Sequence, residues 1–314
     1  MRVACLGIIV ADVIVATVKE QPKRGELALV DSITLHNGGN AMTAAVNLQK
    51  MSVPSSVIGK VGEDMFATFL RTRLAEAGVD TRGVVSDPAV QTSASVALID
   101  ATGERSFLHC RGGNAALRLA DVDFSVIAEC DLVFVTGTYL LGDFDGADTV
   151  AFLKKCKEMG KTTFLDVCHD ASGRWGSVIN PAMPYIDYFM PSIDEAVAIA
   201  DGETDPDKIA DIFRSRGAHN VVIKMGAVGA YLRREGEEKG EIYPSLAGVK
   251  AVDTTGAGDS FCSGFLAAYA NGEDLAYCMK FANTVGALCV TARGATTGTR
   301  GYEETKRFME EHQC

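Results

Sequence analysis

The sequence predicts a three-layer α/β fold, with a mostly parallel central sheet between helices and a small separate β-sheet acting as a lid. Short apolar runs alternate with helical stretches along most of the 314 residues, as strands joined by crossover helices do. Apolar residues form 47% of the chain, enough for a large core. Two β-rich insertions, neither with a helix of its own, interrupt the alternation and supply the lid.

Residues 3–10 read as the first strand. The apolar run continues to Val18 after the lone charge of Arg2, as in a signal peptide, but Asp12 interrupts it. Val and Ile dominate, so a buried strand running into further strand is the better reading. Further strands are expected at 56–60, 132–136, 163–166, 188–190 and 221–224. Helices are expected at 41–51, 65–77, 146–159, 193–200, 206–215 and 259–270. The first insertion, about 12–35, has β-rich runs around Pro22-Lys-Arg-Gly25. In the second, 92–111, Asp100-Ala-Thr-Gly103 marks a turn between two strands. No repeat or low-complexity linker divides the chain, so one domain spanning 1–314 is expected, with the four inserted strands as a lid over its open face.

Composition narrows the function. The formal charge is -11 and no Lys/Arg run stands out, which argues against nucleic acid or an anionic membrane as partner. No apolar span reaches transmembrane length. The nine cysteines form no C-x-x-C pair and sit mostly in apolar stretches, the pattern of buried thiols in a reducing cytoplasm. The five histidines lack zinc-ligand spacing.

Asp253-Thr-Thr-Gly-Ala-Gly-Asp-Ser-Phe261 is the most informative segment. An apolar helix follows, with Phe261, Phe265, Leu266 and Tyr269 at helical spacing. Gly256, Ala257 and Gly258 therefore stand at a helix N-terminus, where unpaired N–H groups and the positive end of the macrodipole attract anions. Asp259 would repel such an anion. As a structural residue it complements the dipole. As a chemical one it orients a hydroxyl and accepts its proton beside a bound phosphate. Other nucleotide motifs fail: Gly160-Lys161-Thr162 ends like a Walker loop, but position 155 is Lys, and no G-x-G-x-x-G follows strand one.

This segment resembles the C-terminal signature of the ribokinase-like PfkB carbohydrate kinases, and the resemblance covers nearly the whole chain. Asn37-Gly38-Gly39-Asn40-Ala-Met-Thr-Ala-Ala45 is similar to the family's first glycine motif. Val61-Gly62-Glu63-Asp64-Met-Phe66, Gly78-Val79-Asp80-Thr81 and Leu98-Ile-Asp-Ala-Thr-Gly-Glu-Arg105 follow in family order. The resemblance implies a ribokinase-like domain with a β lid, ATP as donor and Mg²⁺ as companion. It implies Asp259 as base, with Gly256, Ala257 and Gly258 as anion hole. Asp12, Gly38 and Gly39 match positions that hold sugar hydroxyls, and Thr43 stands where the family often has a sugar-contacting Asn. Lys224, Gly226, Gly258 and Asn283 fall at nucleotide-contacting positions, Asn283 beside the adenine. Glu195, in Ser192-Ile-Asp-Glu195, matches an acid that orders Mg²⁺ through water, with Ser192 in place of the usual Asn. Asp253, Thr255, Cys289, Ala292 and Gly294 match positions around a monovalent cation, K⁺, largely through carbonyl oxygens, while Gly298 lacks the side-chain oxygen often found there.

The expected function is transfer of the ATP γ-phosphate to a hydroxyl, a primary one, of a sugar-like molecule. Two alternatives stay open. One is a nucleoside kinase of the same architecture, with Phe107 and Tyr139 as walls of a base pocket. The other is a non-catalytic sugar-binding regulator. Arg105 could face a substrate under the lid. The open edges and apolar face of the lid imply a homodimer through it.

Overall fold

The computed structural model describes residues 1–102 and 104–312. Gly103, the Arg105 side chain, Gln313 and Cys314 lie outside the described residues, and with them the turn glycine and the expectation for the Arg105 side chain. Thirteen strands are formed among the described residues: β1 (Val3–Gly7), β2 (Val10–Val18), β3 (Ser32–Gly38), β4 (Ser55–Val61), β5 (Asp80–Ser86), β6 (Ala94–Asp100), β7 (Arg105–Cys110), β8 (Leu132–Thr138), β9 (Thr162–Val167), β10 (Tyr188–Phe189), β11 (Asn220–Lys224), β12 (Gly229–Arg233) and β13 (Glu241–Pro244).

Nine of them form one sheet in the order β13-β12-β11-β10-β9-β8-β1-β4-β5. Its strands are parallel except at one end, where β12 runs antiparallel to β11 and β13 to β12. Residues of one strand alternate between two cores. Val3, Cys5, Val57, Phe134 and Phe164 face helices Asn40–Lys50, Ala257–Ala270 and Leu275–Cys289. Ala4, Leu6, Val133, Val135 and Leu165 face helices Ala147–Glu158 and Pro206–Ser215 on the other side.

The remaining four strands form a second sheet, β3-β2-β6-β7. The single strand expected at 3–10 is therefore split: the chain leaves the large sheet after Gly7 and enters the small one at Val10. The Asn114 side chain fixes this crossing, accepting from Ile9 N–H and donating to Ile9 C=O, both at 3.0 Å. In the small sheet Asp12 is in register with His36 of β3 and Ser95 of β6, and Ser95 with His109 of β7. The alternate residues give the opposite face Ile33, Leu35, Val96, Leu98 and Leu108. Ile33 is 67% exposed and Leu108 66%.

No helix of the described residues is long and apolar enough to cross a membrane. Most described cysteines are buried and all are free, but Cys110 at the end of β7 is exposed and Cys168 is half-buried.

Helices Ala257–Ala270 and Leu275–Cys289 approach closely at Gly264. A Cβ there would stand 2.8 Å from Val285 Cγ2 and 3.0 Å from Ala282 Cα. Gly264→Val should therefore force the pair apart and lower stability by roughly 1–3 kcal/mol, the usual cost of overpacking. A urea midpoint no lower than that of the unaltered chain would show that the helices can separate freely.

Candidate active site

Two helix N-termini meet at the carboxyl end of the parallel strands, where ligands bind in open α/β sheets. Helix Asn40–Lys50 begins after Gly38-Gly39. Gly39 has φ 88, and a Cβ on it would come within 2.4 Å of the Ile8 carbonyl oxygen. A Cβ on Gly38 would meet Asp12 Oδ2 at 1.9 Å, so glycine lets the Asp12 carboxylate lie against the backbone. Asp12 is half-buried, and burial pushes its carboxyl up to about 6 against an opposing hydrogen bond from Ser95. Thr43, one turn into the helix, is buried.

Helix Ala257–Ala270 begins after Gly256, which is left-handed at φ 75 and packed so closely on Ala295 that a Cβ would clash at 2.5 Å. Ala257 N–H donates to the Thr254 carbonyl at 3.2 Å and closes the entry turn. Among the described residues the N–H groups of Gly256 and Gly258 have no hydrogen-bond partner, which leaves two donors for an anion.

Asp259 lies in the first turn of this helix. Asn40 Nδ2 donates to its Oδ1 at 2.7 Å, joining the two N-termini across 219 residues of sequence. Burial raises the Asp259 carboxyl to about 6. The Lys224 ammonium and the Asn40 hydrogen bond pull it down, and Glu195 adds to the rise.

Beside this helix end a cavity of about 350 Å³ is lined by Lys224, Gly226, Gly258, Phe261, Asn283 and Val290, among others. The four expected nucleotide-contacting residues thus share one pocket. Asn283 also shapes its wall, donating through Nδ2 to the Tyr243 and Pro244 carbonyls at 2.9 and 3.2 Å. Lys224 Nζ lies 2.6 Å from Asp166 Oδ1.

Glu195 is held locally. Its carboxylate accepts from Ser192 N–H at 2.7 Å, and Ser192 Oγ accepts from Glu195 N–H at 3.5 Å, a capping box on helix Ile193–Ile199. Its charge still reaches Asp166, Lys224 and Asp259. The five residues expected around a monovalent cation gather at one turn. Asp253 accepts from Thr255 N–H at 2.8 Å and from Gly294 N–H at 2.9 Å. Ala292 N–H donates to the Cys289 carbonyl at 3.4 Å. The Cys289 thiol points to the Thr255 and Ala295 carbonyls at 3.5 and 3.4 Å. A Cβ on Gly298 would lie 2.3 Å from the Leu288 carbonyl oxygen, so this turn has no room for a side chain there.

Asn40, Asp166 and Cys168 also belong to the site, and sequence reasoning passed over them. Cys168 Sγ lies 3.6 Å from Asn40 Oδ1. The available signals were slight: a polar residue opening an otherwise apolar helix, and a lone acid near the end of an apolar strand. Tyr139 is only 4% exposed. Its ring packs edge-on against Trp175 and its hydroxyl donates to the Trp175 carbonyl at 2.9 Å, so it does not line an open pocket.

A family profile described as pfkB family carbohydrate kinase matches residues 1–300. A fructokinase of Vibrio alginolyticus is 29% identical over 287 residues, covering 87% of this chain and 91% of its own. A deoxyribokinase of Salmonella typhi is 26% identical over 325 residues, covering 98% and 99%. The structure of Arabidopsis thaliana ribokinase complexed with ribose and ATP shares the fold, with a TM-score of 0.87, 23% identity and 98% of both chains covered.

The raised Asp259 carboxyl has a consequence for stability. Its folded-state value, about 6, exceeds the ordinary 3.8. The fold thus favours the protonated acid, and stability is lost as pH rises from ordinary carboxylate titration through about 6. Asp259→Asn keeps an acceptor for Asn40 and removes the charge. It should be more stable than the unaltered chain above pH ~7, by roughly 1–3 kcal/mol, with the gain fading towards pH ~4. Urea unfolding at several pH values checks this, and a gain independent of pH would remove the electrostatic explanation.

Proposed function

The chain belongs to the pfkB family of carbohydrate kinases, and from that premise we propose that it transfers the γ-phosphate of ATP to a hydroxyl, a primary one, of a sugar or sugar-like small molecule. The observation that carries this reading is the Asn40–Asp259 hydrogen bond. It brings a carboxylate, a helix N-terminus with free N–H groups and the Gly38-Gly39 turn to one point.

In this reading ATP occupies the cavity beside Gly226 and Asn283, with its terminal phosphate at Gly256 and Gly258. Their N–H groups and the Lys224 ammonium stabilise charge on the transferring group. The acceptor lies between Asp12, Gly38, Gly39 and Asp259, with Thr43 behind them. Its hydroxyl attacks the phosphorus as Asp259 Oδ takes its proton. A base titrating near 6 is ionised at neutral pH yet less weakly basic than an exposed carboxylate.

Mg²⁺ would be held through water by Glu195 and would neutralise charge on the phosphates. Among the described residues no group of three or more metal-ligating side chains forms a cage, which suits an ion that keeps its waters and binds mainly to phosphate. The carboxylate and carbonyl oxygens at Asp253, Thr255, Cys289, Ala292 and Gly294 suit K⁺.

We read the small sheet as a lid of the same domain, closing over the acceptor and excluding water. Asp12 and Phe107 lie on one of its faces by register, and Phe107 is exposed. A nucleoside acceptor would have Phe107 as a wall but not Tyr139, so a sugar is the better-supported substrate. The exposed Ile33, Leu35 and Leu108 on the other face would bury against a second copy.

Turnover of ATP against a panel of sugars, sugar acids, phosphosugars and nucleosides tests the function. With the substrate so found, Asp259→Asn should lower kcat by roughly 10²–10⁴ while ATP affinity holds. For the unaltered enzyme kcat/KM should rise as pH passes about 6 and level above it, because the base must be deprotonated. Near-normal turnover by Asp259→Asn would show that another group takes the proton. Separately, light scattering should give a dimer mass that Leu108→Glu reduces to a monomer, and a monomer throughout at micromolar concentration would count against pairing through the lid.

A further inference from the structure

One buried acid has no part in the mechanism above. Asp166 lies one residue from the end of β9 and is 2% exposed. Both of its oxygens are engaged. Oδ1 accepts from Lys224 Nζ at 2.6 Å and from Val167 N–H at 2.9 Å, and Oδ2 accepts from the Cys262 thiol at 3.6 Å. Lys224 closes β11, with β10 between the two strands. Its Nζ lies 3.9 Å from Cys262 Sγ and 3.5 Å from the point where a Cβ on Gly258 would stand. The ammonium is thus beside the backbone that begins helix Ala257–Ala270, gripped from behind by a carboxylate out of reach of solvent.

Stability does not account for such a pair, since two packed apolar residues would serve the fold as well or better. Position does. Lysine has a flexible four-carbon stem and a charge that goes to the nearest acid. Asp259 and Glu195 both act on Lys224 or its partner here. Without Asp166, the ammonium would be free to pair with Asp259, holding the base in its ionised form and occupying the oxygen that must accept a proton.

The geometry points to Asp166 as a positioning residue for phosphoryl transfer: it holds the Lys224 ammonium on the phosphate side of the site and away from Asp259. This rests on the kinase reading, and the phosphate it serves is the terminal one of a nucleoside triphosphate. The groups facing Asp166 are Lys224, Glu195, Asp259, Cys168 and Cys262. The acids among them repel one another, and burial raises Asp166 to about 7 even with Lys224 pulling against it.

The test compares Asp166→Asn, Lys224→Met and the double variant, each first shown to melt cooperatively. Asp166→Asn should lower kcat 10- to 100-fold with the acceptor KM within about twofold, because a hydrogen-bonded charge contact is lost mainly in the transition state. The acid limb of its kcat profile should move to lower pH, as the released ammonium pairs with Asp259. Lys224→Met should lose a similar factor, and the double variant should be no worse than Lys224→Met. A merely structural Asp166 would leave the acid limb in place and add its loss to that of Lys224→Met, and either result overturns the proposal. If Asp166→Asn does not fold, Lys224→Arg, which keeps the charge but moves it, must show the same kcat loss, and unchanged kcat there is equally fatal. Calorimetric titration with Mg-ATP and Mg-ADP separates this idea from the kinase reading. Both single variants should lose about 3- to 10-fold of the preference for ATP over ADP, whether or not an acceptor is known. If the unaltered chain phosphorylates nothing, the kinase reading fails. If Asp166→Asn keeps the full preference for ATP, the positioning role fails.

Discussion

Two helices begin at one point because their first turns are tied by a single hydrogen bond, Asn40 to Asp259. Helix Asn40–Lys50 then runs along helix Ala257–Ala270 and turns a polar stripe towards it and towards residues 296–299. Asn47 donates to Ser260 Oγ at 3.0 Å and accepts from Thr299 at 2.8 Å, and Lys50 donates to the Thr296 carbonyl. Positions 40, 47 and 50 recur on one helical face. The stripe fixes the rotation of both helices, so the glycines that precede them, Gly39 and Gly256, are held facing the same space. Neither glycine tolerates a side chain, since backbone or Ala295 lies within 2.5 Å of the Cβ each would carry.

That arrangement has an electrostatic cost, which falls on the carboxylates it buries. Asp12, Asp166 and Asp259 are drawn out of water, and each is held above the ordinary carboxylate range, chiefly by burial. Lys224 is the counter-charge that lets two of them share so small a volume. Elsewhere in the chain acids are lowered instead, as at Asp64 and Asp207, because backbone N–H groups or arginines meet them. The contrast lies in partners, not in residue type.

Local patterns were legible in the sequence and long-range ones were not. The run 253–261 reveals a helix start with exposed N–H donors and an acid in its first turn because its glycines and acid are contiguous. Pro206–Ser215 could be bounded to the residue by its leading proline. The Asn40–Asp259 and Asp166–Lys224 contacts join residues far apart, and nothing in either local stretch names the partner. β12 escaped notice because it opens on Gly229 and closes on Arg233, a charge that reads as surface. Arg233 is nearly buried, its guanidinium paired with Asp207 and Asp211 at 3.2 and 2.8 Å. Tyr139 misled for a geometric reason. It has φ 80, and the turn after β8 sends its ring into the core against Trp175.

The crossing at Ile9 bears on how the small sheet can move. Asn114 grips both backbone polar groups of that residue, so the chain is clamped where it passes from one sheet to the other. From there β2 extends nine residues, a lever arm of ~30 Å at ~3.3 Å per residue, so a swing of ~10° about the clamp displaces the far end by ~5 Å. Asp12 lies three residues from the fulcrum, ~10 Å at the same rise, and would shift by about a third of that. A sweep at the rim is thereby geared down along β2, with the gear ratio set by where along the strand each residue falls.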